Sequence, residues 1–178
     1  KKVAIVGSCN ATLEELYLLN RLSKATKAKK YLRGHFGEDD GILLSGDRTP
    51  NLRGALASGF INSYPEDNLD KLSKDLDKGT VDAILVLNED LLDSGILAES
   101  LLGIPVVYLG THANSTSSLA EVIIPTLTSF EKKGTFINRS FLAQGFEQSV
   151  PGLPGLLPDV HILNKFLDEL DEENKASS

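Results

Sequence analysis

The sequence predicts an α/β fold: a mostly parallel open sheet with helices on both faces and a short β appendage after residue 125. The first observation is a set of five apolar runs in which polar residues hardly alternate, as is typical of strands buried on both faces. These runs cover residues 3–6, 42–44, 83–87, 106–109 and 122–124. The second observation is that helical patterns lie between the runs, which favours parallel strands joined by right-handed crossovers.

The first helix has the clearest signals. Thr12 and Glu15 form a capping box, and leucines follow at three- and four-residue spacing, which predicts one buried helix face. The basic stretch from Arg21 to Arg33 continues this segment. We interpret it as a solvated helix face whose cations complement the negative end of the helix dipole, although such a face also suits an acidic partner.

Three more helices are predicted from capping and stop residues. They are a helix capped by Ser63 and Glu66 around Pro65 and ended by Gly79, a short helix opened by Thr49-Pro50, and a last helix from about Pro158-Asp159.

The alternation of strands and helices stops after Pro125. Residues 134–138 and 141–146 predict two extended segments, interpreted as a hairpin on the edge of the sheet. We therefore predict an α/β domain over residues 1–125. Residues 126–170 form the appendage with a terminal helix packed on it, and residues 171–178 form a disordered acidic tail.

Composition excludes several classes of protein. The 178 residues are 41% hydrophobic, and 18 Lys and Arg against 25 Asp and Glu give a net charge of −7, which argues against general nucleic-acid binding. No apolar stretch approaches the roughly 20 residues of a membrane span. A single cysteine excludes an internal disulfide, a cysteine zinc site and a self-contained iron–sulfur cluster. Because the chain starts at Lys1 and contains no methionine, we expect it to be a fragment.

The candidate ligand crevice lies at the carboxyl ends of the predicted strands. Small and hydrogen-bonding residues there are also those expected in ordinary strand-to-helix turns, and neither a G-x-G-x-x-G nor a G-x-x-x-x-G-K-[ST] motif is present. We therefore expect no catalytic residue, no metal site and no bound cofactor. The crevice candidates, interpreted as vestigial, are Gly7, Ser8, Asn10, Thr111, His112 and Asn114.

Cys9 offers an alternative. A thiol near a helix N-terminus is favoured as a thiolate, and His112 follows another predicted strand that ends at the same sheet edge. No nucleophile motif surrounds Cys9, and a buried cysteine commonly serves as a small hydrophobic side chain.

The second half of the sequence carries a family resemblance. Residues 120–144 contain, in this order, Pro125, Glu131, Gly134, Thr135, Asn138 and Gln144. With this spacing the segment resembles the superfamily of molybdopterin oxidoreductases, whose pattern is Ala-Asp, apolar residues, Leu-Pro, and then Glu-x-x-Gly-Thr-x-x-Asn-x-Glu-Gly-Arg-x-Gln.

The chain more closely resembles the carboxyl-side part of the large iron–sulfur subunit of NADH–quinone oxidoreductase (respiratory complex I). Residues 12–15, 47–55 and 81–91 support this likeness, which covers about residues 3–170. The resemblance implies a Rossmann-like, non-catalytic scaffold in an electron-transport protein whose iron–sulfur clusters lie outside this chain. It implies other subunits of the peripheral arm as partners. It also implies a cytoplasmic location, peripheral to the inner membrane through the parent complex.

The sequence departs from the family pattern at residues 140–142, where Ser-Phe-Leu replaces a segment containing Glu-Gly-Arg. This loss argues against cofactor binding and for a retained scaffold, in which Glu131 and Asn138 would fix turns. Two alternatives stay open. One is a fragment of a true molybdopterin oxidoreductase such as a formate dehydrogenase. The other is a free-standing nucleotide-binding module that uses the Gly7 and Gly110 turns.

Overall fold

The computed structural model describes residues 2–63 and 69–176. The strands are β1 Val3–Ser8, β2 Lys29–Arg33, β3 Ala83–Leu87, β4 Val106–Gly110, β5 Val122–Pro125, β6 Gly134–Ile137 and β7 Ala143–Phe146. The helices are α1 Leu13–Thr26, α2 Leu52–Ala57, α3 Leu69–Asp77, α4 Ser115–Leu119 and α5 Asp159–Ala176, with a 3₁₀ turn at Ala98–Leu101. Strands β1 to β5 form one parallel sheet in the order β2-β1-β3-β4-β5, which confirms the predicted fold class.

Helices cover both faces of this sheet. Side chains alternate across each strand, so Ile5 and Leu85 enter one apolar layer with α1 and α5, whereas Val6 and Ile84 enter the other with α3. Each fully buried leucine or isoleucine contributes roughly 1.5–3 kcal/mol relative to an exposed one. The two layers therefore hold the strand ends in fixed positions.

Helix α1 begins as predicted but ends earlier. The Thr12 hydroxyl accepts the Glu15 N–H at 3.3 Å, and the Glu15 carboxylate accepts the Thr12 N–H at 2.8 Å. Lys27 then takes a left-handed conformation with φ 54°. The prediction of a helix face as far as Arg33 is wrong, because Lys29–Arg33 forms β2 with Tyr31 and Leu32 buried.

The predicted strand at residues 42–44 is also wrong. Leu43 is 88% exposed, and the segment is an irregular loop. The Asp40 carboxylate accepts the backbone N–H groups of Ile42, Leu43 and Leu44, each within 2.9 Å. These bonds curl the chain away from an extended conformation, and hydrophobicity alone does not reveal them.

Two other helix predictions are confirmed, the first of them with a shifted start. Helix α2 begins at Leu52 after Asn51, instead of at Thr49-Pro50. Helix α3 ends before Gly79, which adopts φ 61° and confirms the predicted stop. The predicted cap partners Pro65 and Glu66 lie outside the described residues.

The last helix confirms the predicted start near Asp159 and corrects the predicted tail. Because α5 continues to Ala176, residues 171–176 are helical and not disordered. Leu163 and Leu167 on its inner face join the apolar layer of α1. Within the described ranges, no helix has both the length and the hydrophobicity that a bilayer crossing requires.

Strands β6 and β7 form the predicted antiparallel hairpin, with Phe136 and Phe146 stacked at a ring distance of 5.0 Å. The hairpin is a separate two-stranded sheet and does not extend the edge of the five-stranded one, which corrects its predicted place. It is held by the helical layer instead, since the Ile137 N–H donates to the buried Asn51 side chain at 2.8 Å.

Candidate functional site

The sheet has one topological switch point, between β1 and β3, where ligands bind in folds of this kind. Ser8 ends β1, and Glu89 follows β3. The Ser8 hydroxyl donates to a Glu89 carboxylate oxygen at 2.5 Å, and both residues are buried. The Asn10 N–H donates to the same hydroxyl oxygen at 3.0 Å. The switch point is therefore closed by an internal hydrogen bond to an acidic side chain.

At two strand ends an aromatic ring packs directly against a glycine residue. A Cβ atom on Gly7 would lie 3.0 Å from the Phe60 ring, and one on Gly110 would lie within 2.4 Å of the Tyr108 ring. Both glycines thus allow close packing of side chains. Neither offers an open cradle for a phosphate group.

A cleft of about 510 Å³ opens beside the switch point. Four of the six crevice candidates line it, whereas Gly7 and Ser8 are buried and do not. Its described lining consists of Asn10, Asn88, Tyr108, Thr111, His112, Asn114, Leu127, Thr128, Ser129, Phe130 and Lys132.

Internal hydrogen bonds engage much of the polar lining. Asn114 caps α4 by accepting the Ser117 N–H at 2.8 Å, and its amide donates to the Tyr108 hydroxyl at 2.9 Å. The Thr111 N–H donates to the Asn88 side chain at 3.0 Å. Burial raises the pKa of Tyr108, and the carboxylates that follow β3 raise it further, although the Asn114 hydrogen bond lowers it. These contacts fix the loops at the strand ends.

Lys132 supplies the lysine ammonium of this lining, and that group is already paired. It donates to Glu15 at 2.5 Å and to Asp159 at 2.6 Å, and all three side chains are buried. Burial lowers the pKa of Lys132, but the two carboxylates raise it more, so the net shift is upward. The ammonium of this lining residue is thus already paired with two buried carboxylates.

Cys9 lies in the apolar core and is fully buried. Its backbone N–H donates to Arg33 at 2.9 Å, and its carbonyl accepts the Asn51 N–H at 3.1 Å. This position is typical of a small hydrophobic side chain and not of a nucleophile that meets substrate. Among the described residues, no group of three potential ligands of the types His, Cys, Asp or Glu is placed to hold a metal ion.

Two of the family-motif residues hold turns. One Glu131 carboxylate oxygen accepts both the backbone N–H and the hydroxyl of Thr128, at 2.9 and 2.8 Å. These bonds lower the pKa of Glu131. The Asn138 side chain accepts the N–H groups of Ser140 and Leu142 at 2.9 and 3.1 Å and donates to Gln144 at 3.3 Å. Both side chains thus shape the chain around the hairpin.

The remaining motif residues join the hairpin to α1 or end a strand. Thr135 donates its N–H and hydroxyl to Glu14 at 3.0 and 2.7 Å. A Cβ atom on Gly134 would lie 2.4 Å from the Thr12 side chain, so only glycine fits there. Pro125 ends β5 and is exposed. In the structure, none of these three lines the 510 Å³ cleft.

Seven described lining residues of the cleft are not among the predicted candidates, and three of them, Asn88, Tyr108 and Lys132, show why. Asn88 adopts φ 53°, a conformation that asparagine tolerates, and its position directly after a predicted strand was the available signal. Tyr108 lies inside a strand, where the pattern indicates only core. Lys132 pairs with Glu15 across 117 residues of sequence, a distance that no local pattern reveals.

The family model described as molybdopterin oxidoreductase matches residues 11–169, which is most of the chain. None of the curated proteins matches the chain significantly.

The cofactor that this family implies is a molybdenum-bound pterin that carries phosphate. The residues present do not fit it. The lysine of the cleft is bonded to two carboxylates, the switch point places buried Glu89 where an anion would lie, and two aromatic rings fill the glycine positions. Among the described residues of the cleft, the lysine ammonium that a phosphate could use is therefore already paired with two carboxylates.

Proposed function

The chain belongs to the molybdopterin oxidoreductase family, and we propose that it is a scaffold domain of the large electron-input subunit of a respiratory NADH dehydrogenase. In this proposal the domain keeps the architecture of the family without binding its cofactor. Electrons would pass through iron–sulfur clusters that the rest of the subunit holds. The domain itself would contribute shape and contact surface.

The observation that carries this proposal is the buried hydrogen bond between Ser8 and Glu89. It lies at the switch point, where a member that binds nucleotide or pterin phosphate needs donors. A ligand that displaced this hydrogen bond would give up the roughly 1.5–3 kcal/mol that a hydrogen bond to a charged group typically contributes. The interaction therefore favours a domain in which an internal hydrogen bond occupies the sheet edge where a ligand would bind.

The hairpin turn gives further support. Residues 140–142 replace a family segment that contains arginine, and Phe141 and Leu142 there are exposed. The Arg53 guanidinium lies over the Phe141 ring at 5.4 Å. An apolar turn with a cation packed on it suits contact with protein better than contact with a phosphate-bearing cofactor. We propose that the partners are other subunits of the peripheral arm, on the cytoplasmic side of the inner membrane.

The cofactor part of this proposal is tested by elemental analysis of the chain produced in cells that make molybdenum enzymes. We expect neither molybdenum nor iron in stoichiometric amount and no oxidation of NADH. Stoichiometric molybdenum together with an extractable pterin would overturn the scaffold role. It would favour the alternative of a true molybdopterin oxidoreductase such as a formate dehydrogenase.

The assembly part is tested separately. The chain, tagged and expressed in an organism with a respiratory NADH dehydrogenase, should co-purify with flavin- and iron–sulfur-containing subunits of that complex. A charge-reversed hairpin turn, Phe141→Glu with Leu142→Glu, is expected to reduce this recovery, and Leu43→Glu is the matched control on another exposed loop. Recovery of subunits from another oxidoreductase would reject the respiratory assignment.

A second candidate, a nucleotide-binding module, is favoured by one observation. The cleft of about 510 Å³ falls within the range of small-molecule sites and presents Thr111 and the exposed His112. Thermal-shift measurements with NADH, FAD and nucleoside triphosphates test it. We expect no upward shift of the melting temperature. A saturable shift that His112→Ala abolishes would replace the scaffold proposal.

A further inference from the structure

The two largest apolar elements of one layer, α1 and α5, are connected by a buried charged cluster. Glu15 comes from α1, Asp159 from the first turn of α5, and Lys132 from the segment before β6. The Lys132 ammonium donates to Glu15 at 2.5 Å and to Asp159 at 2.6 Å. The side chain of Lys132 is 7% exposed, that of Glu15 1% and that of Asp159 0%. We call these three residues the buried cluster.

The buried cluster holds one more acid than base. With both carboxylates ionised it would carry a net negative charge, and charges removed from water must be balanced to be tolerated. The second oxygen of Glu15 accepts the Thr12 N–H at 2.8 Å. The Oδ1 atom of Asp159 is buried and has no hydrogen-bond partner among the described residues. One carboxylate oxygen therefore lies in the core without a compensating donor.

We propose that the buried cluster binds one additional proton in the folded protein, and that the packing of α5 on α1 weakens as this proton is lost. Protonation leaves one ammonium and one carboxylate, which balance. The direction of titration agrees, because burial raises the pKa of Glu15 to about 7, and the neighbouring Asp159 raises it while Lys132 opposes the shift. The pKa of Lys132 is raised, so the lysine keeps its charge over the same range.

Four other carboxylate, ammonium or imidazole side chains lie within two residues of the cluster in sequence. Glu14 of α1 accepts both hydrogen bonds from Thr135, and Glu131 accepts those of the turn that precedes it. Lys133 and His161 line a cavity of about 710 Å³, which Glu14, Glu131 and Lys132 of the cluster also line. In the part of the chain that the structure describes, none of these four side chains forms a hydrogen bond or ion pair with the buried cluster. The balance of charge is therefore set within the cluster.

The sign of the effect follows from proton linkage. Between the ordinary glutamate pKa of 4.5 and the raised value of about 7, the folded chain binds more protons than the unfolded chain. The unfolding equilibrium constant therefore rises with pH in this range, by up to about tenfold per pH unit for one proton. The stabilising contribution is fully present below the unfolded pKa and is lost as pH rises through the folded value.

The first test is urea unfolding of the whole chain between about pH 5 and pH 8. The variant Glu15→Gln keeps the capping box, since glutamine serves at that position, and removes the titrating group. We expect the unfolding constant of the unmodified chain to rise with pH and that of Glu15→Gln to rise less steeply. The matched control Glu14→Gln should keep the slope of the unmodified chain. Equal slopes in Glu15→Gln and the unmodified chain would overturn the proposal.

The second test needs no variant that might unfold. Carboxyl-carbon NMR of the unmodified chain should show a glutamate resonance that titrates near neutral pH, and hydrogen exchange of α5 amides should accelerate over the same range after correction for intrinsic rates. Titration of every carboxyl group below about pH 5 would reject the additional proton. If the proton binds but α5 exchange is independent of pH, the claim about α5 packing is wrong.

Discussion

The two edge strands of the sheet, β2 and β5, differ in composition and in burial. Strand β2 reads Lys-Lys-Tyr-Leu-Arg, yet Tyr31 and Leu32 are buried. Strand β5 reads Val-Ile-Ile-Pro, yet Ile123 is 54% exposed. The basic strand is thus tied into the core, while the apolar strand presents side chains to solvent.

The reason is what packs on each strand. Leu32 joins the apolar layer of α1, and the Tyr31 hydroxyl donates to Asp75 of α3 at 2.6 Å. Lys29 reaches the same carboxylate from the strand end at 2.9 Å. Strand β5 pairs with β4 on one side only. Neither Val122 nor Ile123 belongs to either apolar layer of the described residues. The hydrophobic content of an edge strand therefore does not determine its burial, which depends on the helices that cover it.

The sharpest test of this comparison replaces one residue on each edge. Leu32→Ala removes a fully buried side chain and is expected to lower the free energy of unfolding by about 2–5 kcal/mol. Ile123→Ala, on the exposed strand, should cost less than about 1 kcal/mol because most of its surface is already in water. Urea unfolding measures both. Similar losses for the two variants would mean that β5 is covered in solution.

A smaller effect is expected at the hydrogen bond between β2 and α3. Tyr31→Phe removes the hydroxyl that donates to Asp75 and should cost about 1–2 kcal/mol, since the acceptor is charged but partly exposed. Tyr17→Phe is the matched control, because Tyr17 is exposed on α1 and is expected to change stability by less than about 0.5 kcal/mol. If both variants behave alike, the contact with α3 does not hold this edge.

The same contact predicts acid sensitivity. Hydrogen bonds from Tyr31 and Lys29 lower the pKa of Asp75 to about 2. Since the folded value lies below the usual one of 3.8, this stabilisation is present above the usual value and is lost as pH falls toward 2. Asp75→Asn should therefore destabilise the protein at neutral pH and lose less stability on acidification. Unfolding in urea at several acidic pH values measures the difference. An unchanged acid dependence in the variant would contradict this account.

The fold class was predictable because four of the five apolar runs are strands of the parallel sheet. The fifth run, residues 42–44, failed because the Asp40 carboxylate organises a loop that exposes it. Strand β2 was missed because basic residues are also typical of the last turn of a helix. Only the left-handed conformation of Lys27 separates this strand from α1. Local turn chemistry and tertiary cover therefore outweighed composition in both places.

The site was predictable as far as topology determines it. Strand ends meet at one edge of a parallel sheet, so Asn10, Thr111 and Asn114 line one cleft, as the rule for carboxyl ends suggests. The rule does not predict which side chains at the strand ends are buried and bonded to one another instead of lining the cleft. Ser8 bonds to Glu89 across 81 residues of sequence, and that pairing decides that the switch point is closed.

The smallest effect is expected for a charge placed on the exposed edge. Ile123→Lys should change the free energy of unfolding by no more than about 0.5–1 kcal/mol, because lysine keeps its ammonium in water at a position that is 54% exposed. Edge strands with lysine resist pairing with other chains, so the variant should also self-associate less at high concentration, as sedimentation velocity measures.

The reciprocal change on β2, Lys29→Ile, removes a half-exposed ion pair worth about 0–1 kcal/mol and makes that edge less charged. If Lys29→Ile raises self-association while Ile123→Lys leaves it unchanged, the exposed edge of β5 is not where copies of the chain meet, and the charge on β2 is what keeps its own edge unpaired.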